Sequence, residues 1–160
     1  MSQLVKGFAY KDVSQRSRVE TGRYCINVAK ALPASATGAI FAVTGIVQVT
    51  GLFGIVSTAT AASNVSPTIG VTGLPAAIAA APAAPYNTVA VGSVIVMPLT
   101  PGGALPAPVV ASGAATSTMR FVVNAANITI TTLTTVTGNI TWVLAYTPLF
   151  PKGAGSVAAV

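Results

Sequence analysis

The chain has 160 residues, the length of one domain or of one domain with an arm. It has no histidine, one cysteine (Cys25) and two carboxylates (Asp12 and Glu20), with a formal net charge of +6. That inventory excludes most enzyme chemistry, because acid–base catalysis, nucleophilic triads, and zinc or calcium sites draw on clustered His, Asp, Glu or Cys. No catalytic residue, metal or cofactor is therefore expected, and the remaining formal option, a Ser–Lys dyad with Lys6, Lys11, Lys30 or Lys152, has no distinguishing pattern.

Charged residues are 6% of the chain and apolar residues 52%, against about 25% charged in an average soluble domain. A free monomer relies on interspersed charge for solubility, and subunit interfaces are depleted in Lys, Glu and Asp. The composition thus points to a protein whose sides are covered by other polypeptides. A membrane span is not expected: the charge-free stretch from Ala31 to Met119 is broken by nine prolines and laced with Thr, Ser and Gly, so no run of about 20 apolar residues forms. Nor does the basic N-terminus lead into the compact apolar stretch of a signal peptide. One cysteine forms no internal disulfide, and Cys25 reads as buried filler.

Residues 1–22 read as an extended basic arm, with Lys6, Lys11, Arg16 and Arg18, joined by Arg23, as charged contacts, and with Phe8 and Tyr10 as anchors on a neighbour. Nucleic-acid binding is the competing reading of basic residues among aromatics. Asp12 and Glu20 dilute that charge and no dense Arg/Lys run occurs, so no nucleic-acid partner is expected.

From Tyr24 the pattern alternates, with Tyr24, Ile26 and Val28 on one face and Cys25, Asn27 and Ala29 on the other, which is strand periodicity. Pro33 to Gly38 reads as a turn. The next segment sets Phe41, Val43, Val47 and Val49 on one face, with Gly45 and Gly51 as bulges or close approaches, and Leu52 to Thr60 continues as a strand. The Ala/Pro/Gly-rich stretch from Ala61 to Tyr86 reads as loop and short strand, a surface connection. Val89 to Met97 reads as a strand and Thr100 to Ala111 as a loop too poor in donors to hold phosphate. Phe121 to Val123 opens another strand, and Ile128 and Ile130 alternate with Thr129 and Thr131. Gly138-Asn139 reads as the turn of a hairpin leading to Ile140, Trp142, Leu144 and Tyr146 on one face, with Pro148 and Pro151 ending the pairing. The expected architecture is all-β: an antiparallel β-sandwich or barrel, jelly-roll-like, over residues 23–150, with the arm before it and a tail over residues 151–160.

Two segments, ALPASATGAIFAVTGIVQVTGLFGIVST (Ala31 to Thr58) and ITWVLAYTPLFPKGAGSV (Ile140 to Val157), resemble small virion structural proteins of tailed bacteriophages, of the capsid decoration (cement) type. The resemblance covers about a third of the chain, and the Ala/Pro-rich insertion from Leu74 to Pro85 departs from it. It implies a β-rich, non-enzymatic protein that joins the particle by protein contacts, with a homo-oligomer (a trimer above all) and the major capsid protein or another virion protein as partners. It also implies a place on the capsid surface, after assembly in the bacterial cytoplasm. Alternatives from other classes are a tail or fibre component that recognises a host surface, and a cellular shell or pilus-like subunit.

Overall fold

A computed structural model describes residues 23–61, 65–84, 86, 88–98, 100–109, 119–150 and 155–160. The arm expected over residues 1–22 lies outside them. Among the described residues there are nine strands and no helix: β1 (Arg23–Ala31), β2 (Thr37–Thr44), β3 (Ile46–Ala61), β4 (Thr68–Val71), β5 (Val94–Val96), β6 (Phe121–Asn124), β7 (Asn127–Thr131), β8 (Thr137–Phe150) and β9 (Ser156–Ala159).

Two antiparallel sheets form a sandwich. The first, sheet A, has the order β1-β8-β3-β5, with β6 also on β3, and the second, sheet B, has the order β4-β7-β2-β9. The pairs are nested: β1 with β8, β2 with β7 and β3 with β6. This is the pairing of a long antiparallel ribbon rolled up on itself, the construction of a jelly roll. The bends of the ribbon lie side by side. β2 passes to β3 through Gly45 (φ +69°), and β6 passes to β7 through Ala125 (φ +43°) and Ala126. The Ala125 amide donates to the Gly45 carbonyl at 2.8 Å, and the Val43 amide donates to the Ala126 carbonyl at 3.2 Å. At the other end the β1–β2 and β7–β8 connections are held together the same way, by Leu32 N–H to Gly138 O and Ser35 N–H to Thr134 O. The Thr132 hydroxyl adds a bond to the Pro33 carbonyl.

Alternation then fills the space between the sheets. Sheet A contributes Val47, Val49, Leu52, Val56, Val123, Ile140, Trp142, Leu144 and Tyr146, and sheet B contributes Ile40, Phe41, Val43, Ile69, Val71, Ile128 and Ile130, all buried. Ile40 and Phe41 are consecutive yet both buried, because a bulge in the β2–β7 pairing between Ala39 and Phe41 turns both inward.

Several expectations are corrected here. β7 and β8 are not a hairpin: β7 belongs to sheet B and β8 to sheet A, and Gly138-Asn139 lies inside β8. Gly138 is required for a different reason, since its φ is +126° and a Cβ there would sit 3.0 Å from Thr60 Cα on β3. Pro148 does not end the pairing. It lies within β8 opposite Val47, next to a register shift that brings Phe150 opposite Ile46, the kind of irregular site where a missing N–H is tolerated. The tail expected over residues 151–160 is, in its last part, strand β9, paired with β2 from Phe41↔Ala159 to Thr44↔Ser156. The run from Val89 to Met97 narrows to Val94–Val96, because residues 90–93 turn, with Ser93 N–H donating to Ala90 O. The Ala/Pro-rich connection is no mere surface loop. It holds β4, its Ala79 bridges Ile69, and it buries Val65, Ile78, Ala79 and Tyr86.

The core is tight at Gly54 on β3, where an added Cβ would lie 2.7 Å from Ile140 Cγ2 and 3.0 Å from the Trp142 ring. A side chain of even one carbon must displace fully buried neighbours on the adjacent strand. Gly54→Ala is expected to destabilise the domain by about 1–3 kcal/mol, read as a lower denaturant midpoint at unchanged m-value. An unaltered midpoint shows that the core is looser than this geometry.

Candidate functional site

The described residues carry three ionisable cations, Arg23, Lys30 and Arg120, and no aspartate, glutamate or histidine side chain. No group of three His, Cys, Asp or Glu that could hold a metal occurs among them, and no helix there is long and apolar enough to cross a membrane. Cys25 is half-buried in β1, and burial raises its thiol pKa above the ordinary value. Its environment is the opposite of one that makes a reactive thiolate. Tyr86 is buried, and burial pushes its phenol well above the usual range. Its hydroxyl donates to the Pro106 carbonyl, tying the two long connections together.

What distinguishes this molecule is its two outer surfaces. On sheet B the outward positions are Thr68 and Gly70 of β4, Asn127, Thr129 and Thr131 of β7, Thr37, Ala39, Ala42 and Thr44 of β2, and Ser156 and Ala158 of β9. They are small or hydroxyl-bearing, and Thr37 and Thr131 join their hydroxyls at 2.7 Å. On sheet A the outward positions hold an apolar patch, interleaved and flanked by Thr141, Ala145, Thr147, Gln48 and Ser57. β1 presents Tyr24, Ile26 and Val28, exposed by 75%, 54% and 73%. Ile26 pairs with Val143 on β8, and Val143 pairs in turn with Phe53 on β3. Ile55 and Val122 extend the surface on β3 and β6, and Leu149 extends it on β8. No charged side chain interrupts the row from Ile26 through Val143 to Phe53.

β1 reverses the usual sense of an alternating strand. Its apolar row faces solvent and its polar residue Asn27 is buried, with the amide Nδ2 donating to the Ile40 carbonyl at 2.7 Å and to the Val160 main-chain oxygen at 3.0 Å. These bonds join the edge of sheet A to β2 and β9 of sheet B, which closes that side of the sandwich. Lys30 Nζ reaches the same Val160 oxygen at 2.7 Å, so this cation is drawn towards the β9 side. Ala29, with φ +49°, marks a bulge between Asn27 and Lys30 that interrupts the outer edge of β1, a common protection against strand addition.

Of the residues expected in the arm, Lys6, Phe8, Tyr10, Lys11, Arg16 and Arg18 lie outside the described residues. Arg23 is the first residue of β1, opposite Tyr146, and is exposed. The outer face of sheet A was not singled out from the residue pattern. Its signal is that both sides of the alternation are apolar: Phe53 and Ile55 interleave with Leu52 and Val56, and Val143 with Trp142 and Leu144. Such a pattern is characteristic of sheets buried on both faces.

The fold places the chain among all-β sandwich proteins with jelly-roll pairing. No family model matches the chain, and neither a curated protein nor a solved structure matches it.

The titrations that remain predict the pH profile. A tyrosine whose folded pKa lies above its unfolded value of about 10 contributes stability that is complete below pH 10 and is lost as pH rises beyond it. With no histidine in the chain, stability is expected to be flat from about pH 6 to 8, to begin falling above the ordinary thiol range as Cys25 ionises in the unfolded chain, and to fall further above about pH 10 through Tyr86. Tyr86→Phe is expected to lower neutral stability by about 0.5–1.5 kcal/mol and to flatten the alkaline limb. Denaturant titrations between neutral and alkaline pH measure both, and an unchanged alkaline limb in the variant removes Tyr86 as its cause.

Proposed function

We propose that this chain is a structural subunit of a tailed-bacteriophage virion, of the capsid-decorating type, which stabilises the particle through protein–protein contacts and carries no catalytic activity. The observation that carries the reading is the outer face of sheet A, a broad apolar surface on a body with almost no charge to keep it dispersed. Apolar surface of this kind releases about 25 cal/mol per Å² on burial before association costs are met, and a shell multiplies a modest contact over many copies. The jelly-roll pairing agrees with the reading without carrying it, because that architecture also serves lectins and cupins.

In this reading the partners are sister copies and the major capsid protein or another virion protein, and the place is the capsid surface. Residues 1–22 act as the arm: Lys6, Lys11, Arg16, Arg18 and Arg23 meet acidic patches on the neighbour and set register more than affinity, and Phe8 and Tyr10 anchor the apolar part. Neither a nucleic acid nor a membrane is a partner.

Electron microscopy of purified particles, with mass spectrometry of their protein content, tests the assignment. Density for this sandwich on the head is the expected result. Density at the tail tip favours host recognition instead, and absence from particles favours a cellular assembly. Deletion of residues 1–22 is expected to abolish attachment while leaving the thermal transition of the sandwich in place. Full attachment of the truncated protein removes the arm from the mechanism.

A further inference from the structure

The assembly reading leaves open what covers sheet A. We infer that its outer face packs against the same face of a second copy of this chain, so that the building unit is a two-fold pair joined sheet to sheet and not the trimer that the resemblance implies. The inference rests on the assembly reading and names the partner of that surface.

Charge selects the occupant. Two copies of a chain with a formal charge of +6 repel each other unless they meet where neither carries charge. The row Ile26, Val143, Phe53 and the flanking positions Tyr24, Ala145, Val28, Thr141 and Ile55 contain no Lys, Arg, Asp, Glu or His. The cations of the described residues lie outside the row Ile26, Val143 and Phe53. Arg23 is at the first position of β1, Arg120 precedes β6, and Lys30 is bonded to the Val160 oxygen. An acidic partner gains nothing from such a surface, whereas an identical neutral surface complements it without a buried unpaired charge.

Size is consistent with a stable pair. The strands of sheet A, spaced about 4.8 Å apart and contributing about six residues each at about 3.3 Å, give a face of roughly 20 Å by 20 Å. With side-chain relief this is on the order of 600 Å² of accessible surface, most of the about 800 Å² that each partner buries in a specific complex. Val143 lies at the middle of the row, between Ile26 and Phe53, where the two-fold axis of an isologous contact sets identical residues against each other. Two sheets in this arrangement pack about 10 Å apart with their strands about 30° off parallel. The other geometry open to a sheet, edge-to-edge pairing through β1, is blocked by the bulge at Ala29.

The test is the mass of the full-length purified protein by light scattering across a dilution series, with Ile26→Lys and Val28→Lys compared to Thr44→Lys on sheet B. The two sheet-A positions are exposed in the single chain, so these variants keep the fold, which their thermal transitions check. The expected result is a two-copy species in the wild type and in Thr44→Lys, and a dissociation constant raised at least about a hundredfold in Ile26→Lys and Val28→Lys. A wild type that stays single, or an oligomer that both sheet-A lysines leave intact, overturns the inference. Binding of the same samples to particles separates it from the assembly reading. A single-chain wild type that still attaches ends the pairing inference and leaves the assembly reading in place. A pair that never occurs with particles keeps the pairing and ends the virion reading.

Discussion

The ladder between β3 and β8 is the element on which the rest of the molecule depends. These two strands are the longest, they pair from Ile46↔Phe150 to Ala61↔Thr137, and they form the middle of sheet A. Every other strand of sheet A pairs with one of them: β1 on β8, and β5 and β6 on β3. Trp142, the largest fully buried side chain, stands on this ladder above Gly54, and its ring occupies the space where a neighbouring side chain would otherwise lie. Because the two strands are far apart in sequence, their pairing closes a long loop, and the entropy of that closure is recovered only when the ribbon folds over and sheet B covers Trp142, Leu144, Leu52 and Val56. Sandwich and ladder are therefore one cooperative unit.

Sequence periodicity was a good guide wherever a strand had one apolar side. Phe41, Val43, Val47 and Val49, then Ile128 and Ile130, then Ile140, Trp142, Leu144 and Tyr146, follow from a period of two and are buried as that period requires. Connectivity was not legible, for a physical reason. A glycine beside an asparagine marks a turn only if it is placed there for turning, and Gly138 is there because β3 passes too close for a Cβ. Strand β9 was missed because Ser-Val-Ala-Ala has no large residue to betray an inward face; its place is set by Asn27 and β2 in three dimensions. On β1 the period was correct and the choice of face was not given by it, since a buried asparagine with two carbonyl partners outweighs the usual preference for burying Ile26 and Val28.

The same reversal explains why the candidate surface was hard to see. Strands with apolar residues on both sides are expected deep in a larger protein, not at the outside of a nine-strand sandwich. In sheet A both sides carry apolar rows, and among the described residues only one of the two is covered. In sheet B the outer side is threonine, serine, alanine, glycine and Asn127, of which threonine suits a pleated surface and none demands burial. Among the described residues the two outer faces therefore differ in kind, with small and hydroxyl-bearing side chains prevailing on sheet B and an apolar patch on sheet A.

Solubility and assembly then become one problem. The four cations that precede Arg23 in the sequence and the two carboxylates among them lie in residues 1–22, while Ala31 to Met119 has none. A chain arranged this way separates its two kinds of force along its length. In the proposed assembly the short-ranged apolar force would act on the sandwich, and the longer-ranged electrostatic force of residues 1–22 would steer encounter and weaken with salt over about 10 Å. Spreading the same charges over sheet A would give a better monomer. It would also set cations against cations in the inferred pair, so that pair calls for the scarcity of charge on this face together with the exposure of Tyr24, Ile26 and Val28.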